Sequence, residues 1–172
     1  MKKLLFATVL SFLGLMGNAQ EKITPEQARS IAATTMANFT ESVSFAYIKG
    51  VTLDGFRKKL CGPATPNTVG EGMINTAYSY LVKGIRKDQI IKTNDGKAVA
   101  SAMAFFVEQH KKGISSDGSE IFGAKDILEK ATAREAGGCR WYQFWCHVQV
   151  FANWVIDNWE TIQQIIIFIM NL

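Results

Sequence analysis

Near its C-terminus the chain repeats Trp141, Trp145, Val148, Ala152, Val155, Trp159, Ile162, Ile166 and Ile169 at alternating steps of four and three. That spacing is the seam of an α-helix and predicts one long apolar helix through residues 140–172. Phe144, Phe151, Trp154, Ile165 and Phe168 widen the apolar face and leave a narrow polar stripe of Gln143, His147, Asn153, Asp157, Glu160 and Gln164. Such a helix must be covered, by the rest of this chain or by a second copy of it. A bilayer is not the cover that the sequence selects, because the longest uninterrupted apolar run is residues 165–170. A membrane span needs roughly 20 such residues.

The partners for that helix are legible upstream. Thr24-Pro25-Glu26-Gln27 is a capping box with proline at the first helical position. Ala28, Ile31, Ala32, Met36, Phe39, Val43 and Tyr47 then form one apolar stripe, with Gly50 as the expected stop. Residues 51–60 read as a short helix. Cys61-Gly62-Pro63-Ala64-Thr65-Pro66 is a turn, since its two prolines remove backbone donors. Thr68-Val69-Gly70-Glu71 reads as a second capping box, opening a helix that buries Met73, Ile74, Ala77, Tyr78 and Leu81 and ends at Gly84. Residues 85–93 are polar and read as a connection. From Asn94-Asp95-Gly96 a further helix turns Val99, Ala102, Met103, Phe106 and Val107 inward and stops at Gly113. Residues 114–123 read as a Ser/Gly/Asp loop, and residues 124–136 as a short amphipathic helix ended by Gly137-Gly138. The expected fold is all-α: a compact bundle of four to five helices plus the long apolar C-terminal helix.

Residues 1–19 have the pattern of a secretory signal, with Lys2 and Lys3, an apolar core from Leu4 to Leu15, and small residues at Gly17 and Ala19. Cleavage after Ala19 leaves enough chain for one domain with a real core and points to a periplasmic or secreted protein. No cysteine follows the apolar core to take a lipid anchor. Loss of the two lysines lowers the formal charge from +4 to +2, with no long basic run to track phosphates, so nucleic acid is not an expected partner. In an oxidising compartment Cys61, Cys139 and Cys146 make one disulfide and one odd thiol the simplest arithmetic, and spacing does not choose the pair. A continuous helix would separate Cys139 from Cys146 by about 10 Å, so those two pair only if the helix starts after Cys139.

Chemistry-bearing patterns are sparse. Cys61-Gly62-Pro63-Ala64, with His147 and with Asn153 or Asp157, looks like the nucleophile set of a papain-like peptidase. No glutamine stands shortly before Cys61 to supply an oxyanion donor, and Pro66 interrupts the helix that would lower the thiol pKa. His110 and His147 are the only histidines and the cysteines lack zinc-knuckle spacing, so neither a metal nor another cofactor is expected. Gly137-Gly138 before Cys139 would suit release of a membrane-active peptide, but Thr132 and Glu135 stand where such leaders are apolar, and a helix stop accounts for the glycines better.

Across residues 25–110 the chain resembles the family of periplasmic immunity proteins that neutralise peptidoglycan amidase effectors of type VI secretion. The likeness rests on Tyr47-x-x-Gly50-Val51, Cys61-x-Pro63, the helix opening at Thr68 and closing on Tyr80-Leu81, and the Ala-rich helix of residues 97–107. The resemblance implies a small helical domain, often dimeric, that blocks its cognate amidase without chemistry of its own. It makes Tyr47, Gly50, Cys61 and Pro63 structural; Cys139 and Cys146, in the tail outside the resemblance, are structural candidates of which either could replace the missing partner of Cys61. The family places a disulfide-bonded cysteine three residues before the tyrosine. Ser44 stands there in this chain. A cleft-blocking protein needs a stiff scaffold and a shaped loop. The candidates are residues 85–96, bearing Arg86, Lys87, Asp88 and Asp95, and residues 114–123. This reading divides the chain into a signal at 1–19, an immunity-like domain at 20–113 and a helical extension at 114–172.

Overall fold

The computed structural model describes residues 23–114, 118–123 and 144–171. The signal segment, the helix expected over residues 124–136, Gly137-Gly138, Cys139, Trp141 and Gln143 lie outside the described residues. Within them the protein is all-helical. Its elements are α1 (Pro25–Val43), a 3-10 turn (Ser44–Ala46), α2 (Leu53–Cys61), α3 (Thr68–Val82), α4 (Lys87–Thr93), α5 (Lys97–Lys111), the single turn α6 (Ser119–Phe122), α7 (Phe144–Asp157) and α8 (Trp159–Met170).

Helix α1 is the centre of the bundle and packs against α3, α4, α5, α7 and α8. Its sequence explains why so many neighbours fit. Ala28, Ala32, Ala33 and Ala37 are buried on more than one side of it, and a methyl side chain lets a neighbouring backbone come close. The expected capping box forms: the Gln27 N–H donates to Thr24 Oγ1 at 3.2 Å and the Thr24 N–H to Gln27 Oε1 at 2.8 Å. The helix does not run to Gly50. It ends at Val43 and tightens into the 3-10 turn, so Tyr47 leaves the helical stripe and meets Tyr78 edge-on, ring centroids 6.2 Å apart. Tyr78 donates its hydroxyl to the Val51 carbonyl at 2.7 Å and also packs on Phe56, which pins the chain after α1 to α3. Gly50 still supplies the left-handed turn, at φ 89°.

Two more boundaries differ from the sequence reading. Helix α3 is capped by Asn67, not by a Thr68 box: Asn67 Oδ1 accepts from the N–H groups of Val69 and Gly70, both at 2.9 Å. The polar stretch expected to be a connection contains α4. This helix buries Ile90 against the bundle and lies on α1. One buried isoleucine and a close neighbour sufficed, because tertiary packing rather than propensity sustains short helices.

Helix α5 matches expectation most closely, with Val99, Ala102, Met103, Phe106 and Val107 all buried. Its start is fixed by Asn94, itself buried, which accepts from the Gly96 N–H at 2.7 Å and donates to the Tyr80 hydroxyl at 2.8 Å. Its last turn packs on Trp159, with Lys111 Nζ 5.9 Å from the ring centroid.

The C-terminal segment is not one long helix. Asn158 interrupts it at φ −120°, ψ 24°. Its side-chain amide donates to the Trp154 carbonyl at 2.8 Å, where the backbone N–H also bonds at 3.2 Å. This side-chain competition with the helical ladder divides the seam into α7 and α8. The seam keeps its partners: Val148, Ala152, Val155, Ile162 and Ile169 are buried, and Ile165 takes the buried place expected for Ile166. Helix α8 covers α5 and α1, and α7 covers α5. None of the described helices is long and apolar enough to cross a membrane.

Candidate functional site

The residues proposed for partner binding fall at the two ends of α4. Arg86 precedes the helix, and its N–H donates to Gln89 Oε1 at 2.9 Å. Its guanidinium pairs with Asp88 at 3.2 Å, both side chains largely exposed. Lys87 bridges to Glu41 near the end of α1 at 2.8 Å. Asp95 lies beyond the other end of α4, where its carboxylate accepts from the N–H of Lys97, the first residue of α5, at 3.0 Å. The seven residues of α4 span about 10 Å. Arg86, Lys87 and Asp88 therefore form one group, and Asp95 belongs to another.

That first group has apolar neighbours. The Glu41–Lys87 bridge joins the last turn of α1 to the first of α4. Phe45 and Ile48 follow α1 and are 36% and 62% exposed, while Val82, four residues before Arg86, is 52% exposed. Three of the seven large apolar side chains exposed among the described residues thus lie where the chain leaves α1 and α3, close in sequence to Glu41 and Arg86; the others are Ile114, Val150, Ile167 and Met170. Sequence reasoning missed Ile48 and Val82, because an isolated apolar residue beside a turn carries no sign of which way it faces.

The described end of the second candidate loop, residues 118–123, is occupied structurally. Ile121 and Phe122 are buried, Phe122 packs on Phe39 and Phe144, and the Ile121 carbonyl accepts from the Asn67 N–H at 2.9 Å. This turn is part of the core, with Gly123 at its exposed end.

Cys61 is a free thiol, wholly buried at the end of α2, while Pro63 is exposed in the turn that follows. Burial pushes the Cys61 pKa up to about 11, opposed only in part by the Arg57 charge. A nucleophilic cysteine needs the opposite shift. His147, Asn153 and Asp157 line a cavity of about 350 Å³ between α1 and α7, and Cys61 is not among its lining residues. The histidine thus lines a cavity that the thiol does not. Among the described residues no group of three or more His, Cys, Asp or Glu side chains is placed to hold a metal ion.

The cavity is lined by apolar side chains at Phe39, Phe106, Ile121, Phe122 and Phe151, and by Thr35, Asn38 and Ser42 along one stripe of α1. Thr35 and Ser42 donate to the carbonyls of Ile31 and Phe39 on their own helix. Trp154 also lines the cavity, and its Nε1–H is buried with no hydrogen-bond partner among the described residues.

The chain matches no family model, no curated protein and no solved structure.

Proposed function

We propose that the chain is an exported helical binding protein, without catalysis of its own, that inserts one end of its bundle into the cleft of a cognate peptidoglycan amidase and blocks it. Export rests on the signal-like residues 1–19, and the choice of partner on the resemblance over residues 25–110. The observation that carries the reading is the exposure of Phe45, Ile48 and Val82 beside Arg86, Lys87 and Asp88. Apolar anchors with a charged rim are how protein interfaces are built, and an end held by α1, α3 and α4 loses little entropy on docking.

Cys61 is free and buried. With Cys61 unpaired, the disulfide expected of an exported chain falls to Cys139, which lies outside the described residues, and Cys146.

The test mixes the purified mature protein with a panel of peptidoglycan amidases and reads complex formation and amidase rate. A 1:1 complex with suppressed hydrolysis is expected for the cognate enzyme. A double variant, I48D with V82D, should weaken the complex at least tenfold while leaving the melting temperature unchanged. Absence of both complex and inhibition across the panel would falsify the amidase reading.

A further inference from the structure

The cavity between α1 and α7 is built in two depths. Met73, Phe106, Ile121 and Phe122 line it and are buried, which gives an apolar floor drawn from α3, α5 and α6. Asn153 and Asp157 line it too but are exposed, and Asn38 on α1 is half-buried, so these three stand toward the solvent side. Asn153 and Asp157 are one helical turn apart and share a face of α7. None of the three side chains has a hydrogen bond or ion pair to another described residue, which leaves two carboxamides and a carboxylate free to bond a guest. At about 350 Å³ the space is that of a small-molecule site, and such sites combine an apolar body with a few polar groups that orient the guest.

Charge favours one kind of guest. Asp157 is the only Asp, Glu, Lys or Arg among the described lining residues. It is also the last residue of α7, at the end where the helix carbonyls already concentrate negative charge, and no basic residue stands in that last turn. A carboxylate at that end is repelled by the helix dipole unless a cation joins it. The neighbouring terminus is answered differently, since Glu160 lies in the first turn of α8 and complements its positive end. Lys111 is held over Trp159 and does not line the cavity. We propose that the cavity binds an apolar small molecule carrying one amino group. Its hydrocarbon body covers the floor, and its ammonium stays at the mouth beside Asp157, with the carboxamide oxygens of Asn38 and Asn153 as further acceptors. Neither Ile48 nor Val82 lines the cavity, so the site does not depend on the amidase reading.

The experiment titrates the purified chain with decylammonium chloride, 1-decanol and sodium decanoate, which share one chain and differ in charge. Binding is read by calorimetry and by the backbone amide resonances of ¹⁵N-labelled protein. Decylammonium should bind saturably, and its resonance shifts should cluster on residues 153–157 of α7 and 35–42 of α1. 1-Decanol should bind about threefold more weakly and decanoate about tenfold. D157N should weaken decylammonium about threefold, the contribution of one exposed ion pair, and leave 1-decanol unchanged. E160Q removes an exposed carboxylate that does not line the cavity and should change neither. The shift map of the unmodified protein locates the site without relying on either variant. No saturable binding of decylammonium, decanoate binding as tightly, shifts confined to other elements, or a D157N protein that binds decylammonium like the wild type would each overturn the proposal.

Discussion

Cys61 lies at the last position of α2, fully buried, and its thiol is held up to about 11 by loss of solvent. Between the ordinary thiol value of 9.0 and about 11 an unfolded chain ionises this thiol while the folded chain keeps its proton. The unfolded state then binds fewer protons, so the contribution is intact below pH 9 and is lost as the pH rises toward 11. Comparison of urea midpoints for wild type and C61A across that window should show the wild type losing up to about 2 kcal/mol relative to the variant. Parallel curves would mean that the thiol is not desolvated. The same burial should keep Cys61 unreactive to iodoacetamide in the native protein. Denaturation without reductant should expose one reactive thiol, and reduction three; three without reductant would remove the proposed Cys139–Cys146 bond. Gly70 makes a different kind of point. A Cβ there would stand 2.2 Å from the Ile121 carbonyl oxygen, the atom that also accepts from Asn67. G70A should therefore cost about 1–3 kcal/mol of stability by thermal denaturation, through a displaced backbone rather than a lost contact. Sequence showed Gly70 only as part of an expected capping box. The reason for its being glycine is an approach from a segment fifty residues away.

Elements were legible where the local signal and the tertiary demand agree. The Thr24 cap and the inward face of α5 are such cases, since cap chemistry and a complete apolar stripe act within one segment. Helix α4 was not, because its sequence is mostly polar and its reason to be helical lies in α1. The exposed end was half legible: Arg86, Lys87 and Asp88 stood out as charges, but their ion pairs and apolar neighbours depend on two helices meeting. Trp154 was visible only as part of an apolar face, since nothing local tells that its N–H is buried without a partner. The break at Asn158 bears on the role of the Trp-rich segment. A detachable membrane-active tail would leave the rest of the protein folded when removed. Here Ile162, Ile165 and Ile169 are buried at 0–1% exposure, and α8 covers both α5 and α1. Each such side chain contributes about 1.5–3 kcal/mol on burial, and together they rival the stability of a small domain. Truncation after Asp157 should give a chain without a cooperative melting transition by circular dichroism. A truncated protein that melts like the full chain would return α8 to the status of an appendage.

At the scale of the whole molecule, charge is arranged unevenly. The mature chain carries a formal excess of only +2 by the signal-cleavage reading, yet Lys49, Lys83, Arg86 and Lys87 gather at the end that exposes Ile48 and Val82, against Glu41 and Asp88. Charges at a rim act mainly on the rate of encounter, whereas buried apolar anchors act on the rate of escape. The two sets of residues should therefore separate kinetically. With the cognate amidase immobilised, reversal of Lys49, Lys83 and Arg86 to glutamate should lower the association rate at least tenfold at low salt and flatten its dependence on ionic strength, since screening reaches about 10 Å at 0.1 M. Dissociation should change little. I48D with V82D should do the converse, accelerating dissociation while leaving association nearly as it was. Lys87 is left unaltered in both because its bridge to Glu41 holds α4 on α1, and its loss would mix docking with folding. If the charge-reversed protein associates at the wild-type rate and with the wild-type salt dependence, this end of the bundle is not the docking face, whatever the amidase proves to be.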